Sequence, residues 1–512
     1  MVLRPVIHDI FFAYQETVMS QSTATIPHAL PRDTGAPVPV AIAAGDGIGP
    51  EITTATLRIL EAAGAGIRAI PVEVGGAAYA RGVTSGIDAA AWDAIEGTRV
   101  LLKGPITTPQ GGGWKSVNVT LRKTLGLYAN LRPCAAYHPF VPTPHPGMDV
   151  VVIRENEEDL YAGIEHQQTD ETVQCLKLVT RSGCERIVRY AFAYARAHGR
   201  KKVTCVTKDN IMKLTDGLFH QVFDAVATEH PDIVSEHRIV DIAAARLAAR
   251  PTDYDVIVTL NLYGDILSDI AAEVAGSVGL APSANLGRDA AMFEAIHGSA
   301  PDIAGMGIAN PSGMLLAAVQ MLVHIGKPRA AELIHNAWLA TIEDGIHTRD
   351  LVRAGATAKV VGTVAFADAV IERLGRVPAT LPEAAYGGHP PIVLPEAAPV
   401  PTAPMVLTGV DAFLHHPASG TEALGHRLAA LAGDRFGLQM ITNRGVKVWP
   451  GGRPGTRLAD HWRCRFTATG PVAVADVLAL LGRIDGAGLR LIKTEHLYTR
   501  DGKPAYSLGQ GQ

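Results

Sequence analysis

The sequence predicts an α/β core followed by a small α+β domain, and three observations carry that expectation. The chain has 512 residues, too many for one hydrophobic core. Short apolar runs of strand type alternate with segments of helical spacing over most of its length. Between Pro378 and Pro404 the prolines crowd, with Pro382, Pro390, Pro391, Pro395, Pro399 and Pro401 also in the interval. Proline at that density gives an extended, semi-rigid connector rather than a domain. The expected division is a disordered tail at 1–36, a core at 37–377, a linker at 378–404 and a last domain at 405–512.

Composition narrows the function classes. With 47% hydrophobic and 19% charged residues and a net charge of −4, the chain lacks the basic face a nucleic-acid partner needs. No uninterrupted apolar run reaches the ~18 residues that span a bilayer. Cys134, Cys175, Cys184, Cys205 and Cys464 are odd in number and scattered, without metal or redox spacing. Free thiols in a reducing, cytoplasmic setting are the expectation. Near the N-terminus the patch Ile10-Phe11-Phe12 lacks a signal-peptide layout, and Met19 is a second candidate start.

Taken in order, the first strand-like run, Val38 to Ala44, ends in Gly45-Asp46-Gly47-Ile48-Gly49-Pro50-Glu51. Pro50, with apolar Ile52, Ala55, Leu57, Ile59 and Leu60, marks a helix start. Glycines between strand and helix invite a dinucleotide-binding reading. The fingerprint needs glycine where Pro50 stands, so a Rossmann domain is not predicted. A second strand, Val100 to Leu102, feeds Lys103-Gly104-Pro105, two threonines and a Gly111–Gly113 loop before Ser116, Asn118, Arg122 and Arg132. Guanidinium forks fit carboxylates two bonds at a time, so two of them beside a hydroxyl and an amide suit a small polycarboxylate. A surface loop leading into a charged helix face is the plainer alternative.

The strand Asp149–Ile153 delivers Arg154 to its end, ahead of Tyr161-Ala162-Gly163. Ser182 to His198 has helical spacing, and Val203–Val206 is a strand that ends at Lys208-Asp209-Asn210 before a helix through Asp224. In α/β proteins chemistry collects at such strand ends. Asp255 to Leu260 is the most strand-like run in the chain and leads to Asp265 and Asp269, four apart and on one helix face. Like charges there repel unless a cation lies between them, and all-oxygen ligation suits Mg²⁺ or Mn²⁺. The alternative is a pair of helix-entry carboxylates favoured by the dipole. Small residues recur from Gly276 to Gly287 and in the loop Phe293 to Gly305, where backbone can approach a ligand closely. Asn310-Pro311-Ser312-Gly313 then starts an apolar helix, Met314 to His324. In the last domain, strands at Leu438–Ile441, Gly445–Trp449, Trp462–Thr467 and Leu489–Lys493 flank a helix from Val474 to Leu481. It carries no nucleophile–base pairing or metal spacing, and dimerisation or regulation is its expected role.

These motifs, in this order, resemble the β-decarboxylating dehydrogenases, the family of isocitrate, 3-isopropylmalate and homoisocitrate dehydrogenases, over about Val38 to Leu374. Met440 to Gly445 and Asp460 to Phe466 are similar to the extra C-terminal domain of a bacterial isocitrate dehydrogenase subgroup. The resemblance implies the α/β isocitrate/isopropylmalate dehydrogenase-like fold, two-lobed and not Rossmann. Its large lobe would hold 37–127 and 277–377, and its small dimerising lobe 128–276. It implies oxidative decarboxylation of isocitrate to 2-oxoglutarate and CO₂. Ser116 and Asn118 would bind the γ-carboxylate, with Thr107, Arg122, Arg132, Arg154 and Asn210 on the rest of the substrate. Tyr161 would be the proton donor and Lys208 the base. Asp265 and Asp269 would hold Mg²⁺ or Mn²⁺ with Asp241 of the other subunit, and Lys208 and Asn210 would also come across the dimer interface, which makes the active unit a homodimer and leaves higher assembly open. Glu294, His297, Gly298, Ser299, Ala300, Asp302, Ile303 and Asn310 would meet the cofactor.

NADP-linked bacterial relatives carry a lysine–tyrosine pair where this chain has Asp302 and Ile303. A carboxylate there accepts bonds from ribose hydroxyls and repels a 2′-phosphate, and the later tyrosine and arginine of NADP enzymes are not found around Thr348-Arg349-Asp350-Leu351, so the expectation is NAD. The open alternatives are NADP, with Lys327 or another cation reaching the phosphate, a homoisocitrate or isopropylmalate substrate, and a catalytically silent regulatory subunit.

Overall fold

The computed structural model describes residues 35–108, 116–387, 392 and 402–509. The expected disordered tail, save its last two residues, and the Gly111–Gly113 loop lie outside the described residues. Twelve strands build the core: β1 (Val38–Ala43), β2 (Ile67–Val72), β3 (Val100–Lys103), β4 (Ala129–Ala135), β5 (Asp149–Glu155), the hairpin β6 (Glu165–Gln167) and β7 (Val173–Cys175), β8 (Lys202–Thr207), β9 (Val234–Ile239), β10 (Val256–Thr259), β11 (Pro282–Leu286) and β12 (Ala291–Ala295). All but the hairpin form one ten-stranded sheet in the order β2-β1-β3-β12-β11-β4-β5-β10-β8-β9.

The outer strands run parallel, and β12, β11, β4 and β5 meet antiparallel at the centre. One half of the sheet is drawn from 38–103 and 282–295, the other from 129–259. This is the two-lobed α/β arrangement expected, not a Rossmann sheet. The inner strands are largely apolar, as strands with both faces covered must be, and every residue of β3 and of β10 is buried, whereas the edge strands β2 and β9 carry polar and exposed residues.

Where strand direction changes, the core turns polar. Lys103 on β3 pairs with Glu294 on β12, Asn285 on β11 pairs with Asn130 on β4, and Asn130 pairs with Arg154 on β5. Asn130 donates to Ser283 Oγ at 2.7 Å and to Asn285 Oδ1 at 2.8 Å, and Asn156 donates to that same oxygen at 3.0 Å. Buried amides are tolerable only when bonded in this way. The row aligns the charged strand ends of the two lobes.

Helices pack on both halves. Gly49–Ala62 starts with Pro50 in its first turn, as expected. Asn261–Ala275 follows β10 directly, its first turn tied down by Leu262 N–H donating to the buried Asp159 carboxylate at 2.8 Å. In the large lobe Ser312–His324 packs on Pro328–Glu343, whose fully buried Trp338 donates Nε1–H to Ser312 Oγ at 2.9 Å and meets Tyr137 edge-on at 4.8 Å. The start of the proline-rich segment is strapped along that helix. Glu343 accepts from the amides of Ala379, Thr380 and Leu381, and His335 pairs with the Tyr386 hydroxyl at 2.7 Å.

The last domain is a six-stranded antiparallel sheet packed against helices Thr421–Leu431 and Val474–Gly486. Its strand Met405–His415 and the first of those helices were not expected from the sequence. Asp460 accepts from Thr169 Oγ1 at 2.7 Å, and Lys493 Nζ donates to Gln174 Oε1 at 3.1 Å, which docks the domain on the β6–β7 hairpin. Among the described residues no helix is long and apolar enough to cross a membrane.

Candidate active site

A cleft of about 360 Å³ opens between the two lobes at the sheet centre, lined by Lys103, Ser116, Asn118, Arg122, Arg132, Arg154, Tyr161, Asp265, Glu294 and His297 among others. Its walls follow from local folding. Ser116 precedes helix Val117–Thr124, which turns Asn118 and Arg122 inward. Strands β4 and β5 contribute Arg132 and Arg154. Helix Asn261–Ala275 presents Asp265 and Asp269 one turn apart, and Ser268 between them accepts from Arg132 at 2.6 Å.

Arg154 lies flat on that helix because residue 264 is glycine. A Cβ at Gly264 would stand 2.5 Å from Arg154 Cγ. Asn261 Oδ1 takes both Nε–H (3.0 Å) and Nη2–H (2.8 Å) of the guanidinium, and Nη1 is paired with Asp265. The three guanidiniums are all buried, and Nε of Arg122 and of Arg132 has no protein acceptor among the described residues. Burial first, then the neighbouring Arg132 and Arg122, lowers the Arg154 guanidinium to about 10, so it stays charged at neutral pH.

The carboxylates respond to these cations. Burial would raise Glu294, yet Lys103 at 2.7 Å and Arg122 at 3.0 Å outweigh it and hold the group far below the usual range. Expected beside the cofactor, Glu294 lines the same cleft with its oxygens on Lys103, Arg122 and Asn285. Asp265 is likewise depressed, with Arg154 and Arg132 overcoming burial, and accepts from the Tyr161 hydroxyl at 2.5 Å. Asp269 moves up instead, through burial and then Asp265, against the pull of Arg132 at 3.7 Å. Two carboxylates on one helix face, one of them short of compensation, form an oxygen-only donor set that suits a hard divalent cation.

The loop that failed the dinucleotide fingerprint supports the small-residue loop. Ile48 N–H donates to Ser299 O at 2.9 Å, and a Cβ at Gly47 (φ +59°) would lie 1.9 Å from that oxygen. Asp46 accepts from the amides of Gly76 and Thr107, Thr107 Oγ1 meets Ser299 Oγ at 2.7 Å, and Glu51 accepts from Gly307 N–H. Ala300 takes φ +37°, an uncommon conformation for alanine, at the turn after Gly298-Ser299. His297 is driven below the ordinary histidine range by burial and keeps Nε2 without a partner among the described residues. Asn310 donates to Asp350 at 2.9 Å, while Asp302 is exposed at the loop tip and Ile303 is half-buried.

Tyr161, the three arginines, Ser116, Asn118 and Asp265 are thus brought together. Thr108 lines the cleft where Thr107 was expected, with Thr107 turned to Ser299. Lys208, Asn210 and Asp241 do not line it. Lys208 Nζ pairs with Asp241 at 3.0 Å at the ends of β8 and β9. The sequence reading left Lys103, Asn261, Ser268 and Asn285 without roles. Only Lys103, a lysine closing an apolar strand, carried a usable signal.

A sheet of this order with this cleft defines a β-decarboxylating dehydrogenase, and the comparisons agree. The isocitrate/isopropylmalate dehydrogenase family profile matches residues 39–370, and that of the bacterial isocitrate dehydrogenase C-terminal domain matches 405–512. The chain belongs to the isocitrate/isopropylmalate dehydrogenase family. It is 50% identical over 482 residues to the NADP isocitrate dehydrogenase of Rickettsia bellii, covering 93% of this chain and 99% of that one. It is 44% identical over 352 residues to subunit 2 of the mitochondrial NAD isocitrate dehydrogenase of Saccharomyces cerevisiae, covering 67% and 94%. A crystal structure of a protein from Thermus thermophilus superposes with a TM-score of 0.87 at 45% identity, over 93% of this chain and 96% of that one.

Proposed function

We propose that the protein oxidises and decarboxylates isocitrate to 2-oxoglutarate and CO₂ with a nicotinamide coenzyme and Mg²⁺ or Mn²⁺. The observation that carries this is the charge of the cleft: among the described residues Lys103, Arg122, Arg132 and Arg154 line it against Asp265 and Glu294, with Asp269 3.7 Å from Arg132 at its edge. A buried excess of cations is costly unless an anion arrives, and a tricarboxylate meets that need. Ser116 and Asn118 offer polar bonds to a third carboxylate, where an alkyl side chain would leave them unpaired. When bound, the cation supplies Lewis acidity and the coenzyme accepts hydride.

The chain's own groups do the rest. Arg122, Arg132 and Arg154 orient the substrate and exclude water from its carboxylates. Lys208 takes the hydroxyl proton, and Tyr161 returns a proton to carbon after CO₂ leaves. Burial first, then Asp265, raises the Tyr161 phenol against the pull of Arg154, so it is protonated and able to donate. Because Lys208, Asn210 and Asp241 stand outside the cleft, we assign them to the site of a second copy in a homodimer. Exposed Ile211, Leu214, Val234, Ile242 and Ile266 on the same lobe are apolar surface for that contact.

For the coenzyme, the full-length relatives named as NADP enzymes support NADP over the NAD expected from Asp302. A local source of charge fits it. Asp350 holds Asn310, and the preceding residue, Arg349, is exposed beside it. Lys327 cannot serve, since it is buried against Gly66 at the opposite end of β1 and β2. NAD remains a second reading on one observation, the exposed carboxylate of Asp302 in the coenzyme loop. Steady-state kinetics with isocitrate, with both coenzymes and with or without Mg²⁺, decides between them. Robust turnover of isopropylmalate with none of isocitrate would overturn the substrate.

A further inference from the structure

Beyond the cleft, a second cluster of chemistry-bearing side chains is built where β8 and β9 end. Asp209 follows β8, His220 lies on helix Thr215–Ala227, and His237 lies on β9. The two imidazole rings stack with centroids 3.6 Å apart and planes 17° from parallel. His220 Nδ1 is 2.7 Å from Asp209 Oδ2, and His237 Nε2 is 3.8 Å from Asp209 Oδ1. One ligand atom from each residue lies within 4.8 Å of the others, and all three side chains are partly exposed. Two stacked imidazoles cannot both carry charge cheaply.

We propose that Asp209, His220 and His237 form a binding site for a borderline divalent cation such as Zn²⁺, distinct from the oxygen-only pair Asp265 and Asp269. Two imidazoles and one carboxylate favour Zn²⁺ over Mg²⁺, which prefers oxygen and retains water. Tetrahedral ligation at Zn–N and Zn–O distances of about 2.1 Å sets ligand atoms about 3.4 Å apart. Ligation would open the 2.7 Å pair of His220 and Asp209, close the 3.8 Å pair of His237 and Asp209, and turn the stacked rings apart so that their in-plane lone pairs converge, movements open to partly exposed side chains. The surroundings already resemble an outer ligand sphere. His220 turns its other nitrogen, Nε2, to Asp224 at 3.6 Å, as a metal-bound histidine turns to a carboxylate. Thr207 Oγ1 meets His237 Nε2 at 2.8 Å and accepts from Asp209 N–H at 3.4 Å, so one hydroxyl holds both residues in place, and a cation on Nε2 would displace it from the ring. A solvent molecule would complete the fourth position. Since Asp209 lies between Lys208 and Asn210, occupancy ties that segment to the edge strand β9.

Calorimetric titration of the metal-stripped, full-length protein with Zn²⁺, in excess Mg²⁺, tests the site. The expected result is one Zn²⁺ per chain at micromolar or better affinity. His220→Asn and His237→Asn should each weaken it at least about tenfold, and Asp265→Asn should leave it unchanged. Wild-type affinity retained in both histidine variants, or no binding at micromolar Zn²⁺, overturns the proposal. X-ray absorption of the Zn²⁺-loaded wild type needs no variant to fold. Two imidazole scatterers with oxygen support the site, and a sulfur shell from a cysteine such as the exposed Cys175 overturns it.

Discussion

Arg154 shows how one side chain is committed before any substrate arrives. Two of its bonds go to Asn261, one group pairs with Asp265, and Gly264 leaves space for its stem. Lysine has one rotating ammonium and cannot reproduce a planar fork held on an amide oxygen. Arg154→Lys should therefore lower kcat/KM for isocitrate about a hundredfold, roughly 2.7 kcal/mol of transition-state binding, while the melting temperature moves little. Gly264→Ala should act through the same residue, since its Cβ occupies the space of the Arg154 stem. The double variant is then no worse than the more damaged single one, and full additivity of the two losses in steady-state kinetics would refute the coupling.

At the level of elements, β5 carries a charge next to its arginine that the pocket does not use. Glu155 is 2% exposed and accepts from the amides of Glu157 at 2.6 Å and Glu158 at 3.1 Å. Burial outweighs those bonds and lifts its carboxyl to about 7. The folded value lies above the unfolded one, near 4.3, so the native chain keeps a proton that the unfolded chain releases. That stabilisation is whole below about pH 4 and disappears as pH rises through 7, on the order of 3 kcal/mol in all. Urea unfolding at pH 5 and pH 8 should show a smaller loss for Glu155→Gln than for wild type, and an equal loss in both would refute it. The strand itself was legible, because β5, β8 and β10 are continuous apolar runs and a buried parallel strand needs nothing else. Helix Asn261–Ala275 was legible from its paired aspartates. The strand Met405–His415 was not, because its pattern is broken at the centre by Asp411. The structure buries that carboxylate against both Nε and Nη2 of Arg465, at 2.8 Å each, a partner more than fifty residues away. Long-range pairing of this kind leaves no local trace, and the same holds for Asn285 and Asn130, whose roles depend on which strands become neighbours.

Across the whole molecule, the candidate site divides into two sets that one chain does not join. Tyr161, the arginines and Asp265 surround the cleft, whereas Lys208 is engaged by Asp241 at the far edge strands. The family resemblance implied that Lys208, Asn210 and Asp241 belong to a partner's site; what motif order could not give is their distance from the cleft within one chain, which follows from β8 and β9 lying at the outer end of the sheet. If each site takes Tyr161 from one copy and Lys208 from its partner, two inactive variants can repair one another. Tyr161→Phe and Lys208→Met, each nearly inactive alone, should regain activity when unfolded together and refolded, or co-expressed. Random pairing makes half the dimers mixed, and in each mixed dimer one site receives both native residues while the other receives neither. The mixture should then reach about a quarter of wild-type turnover. A site contained within one chain predicts no recovery, because every cleft would lack one of the two groups. Mixing the finished, separately folded variants without exchange should also give none, which separates repair between subunits from residual activity in either preparation.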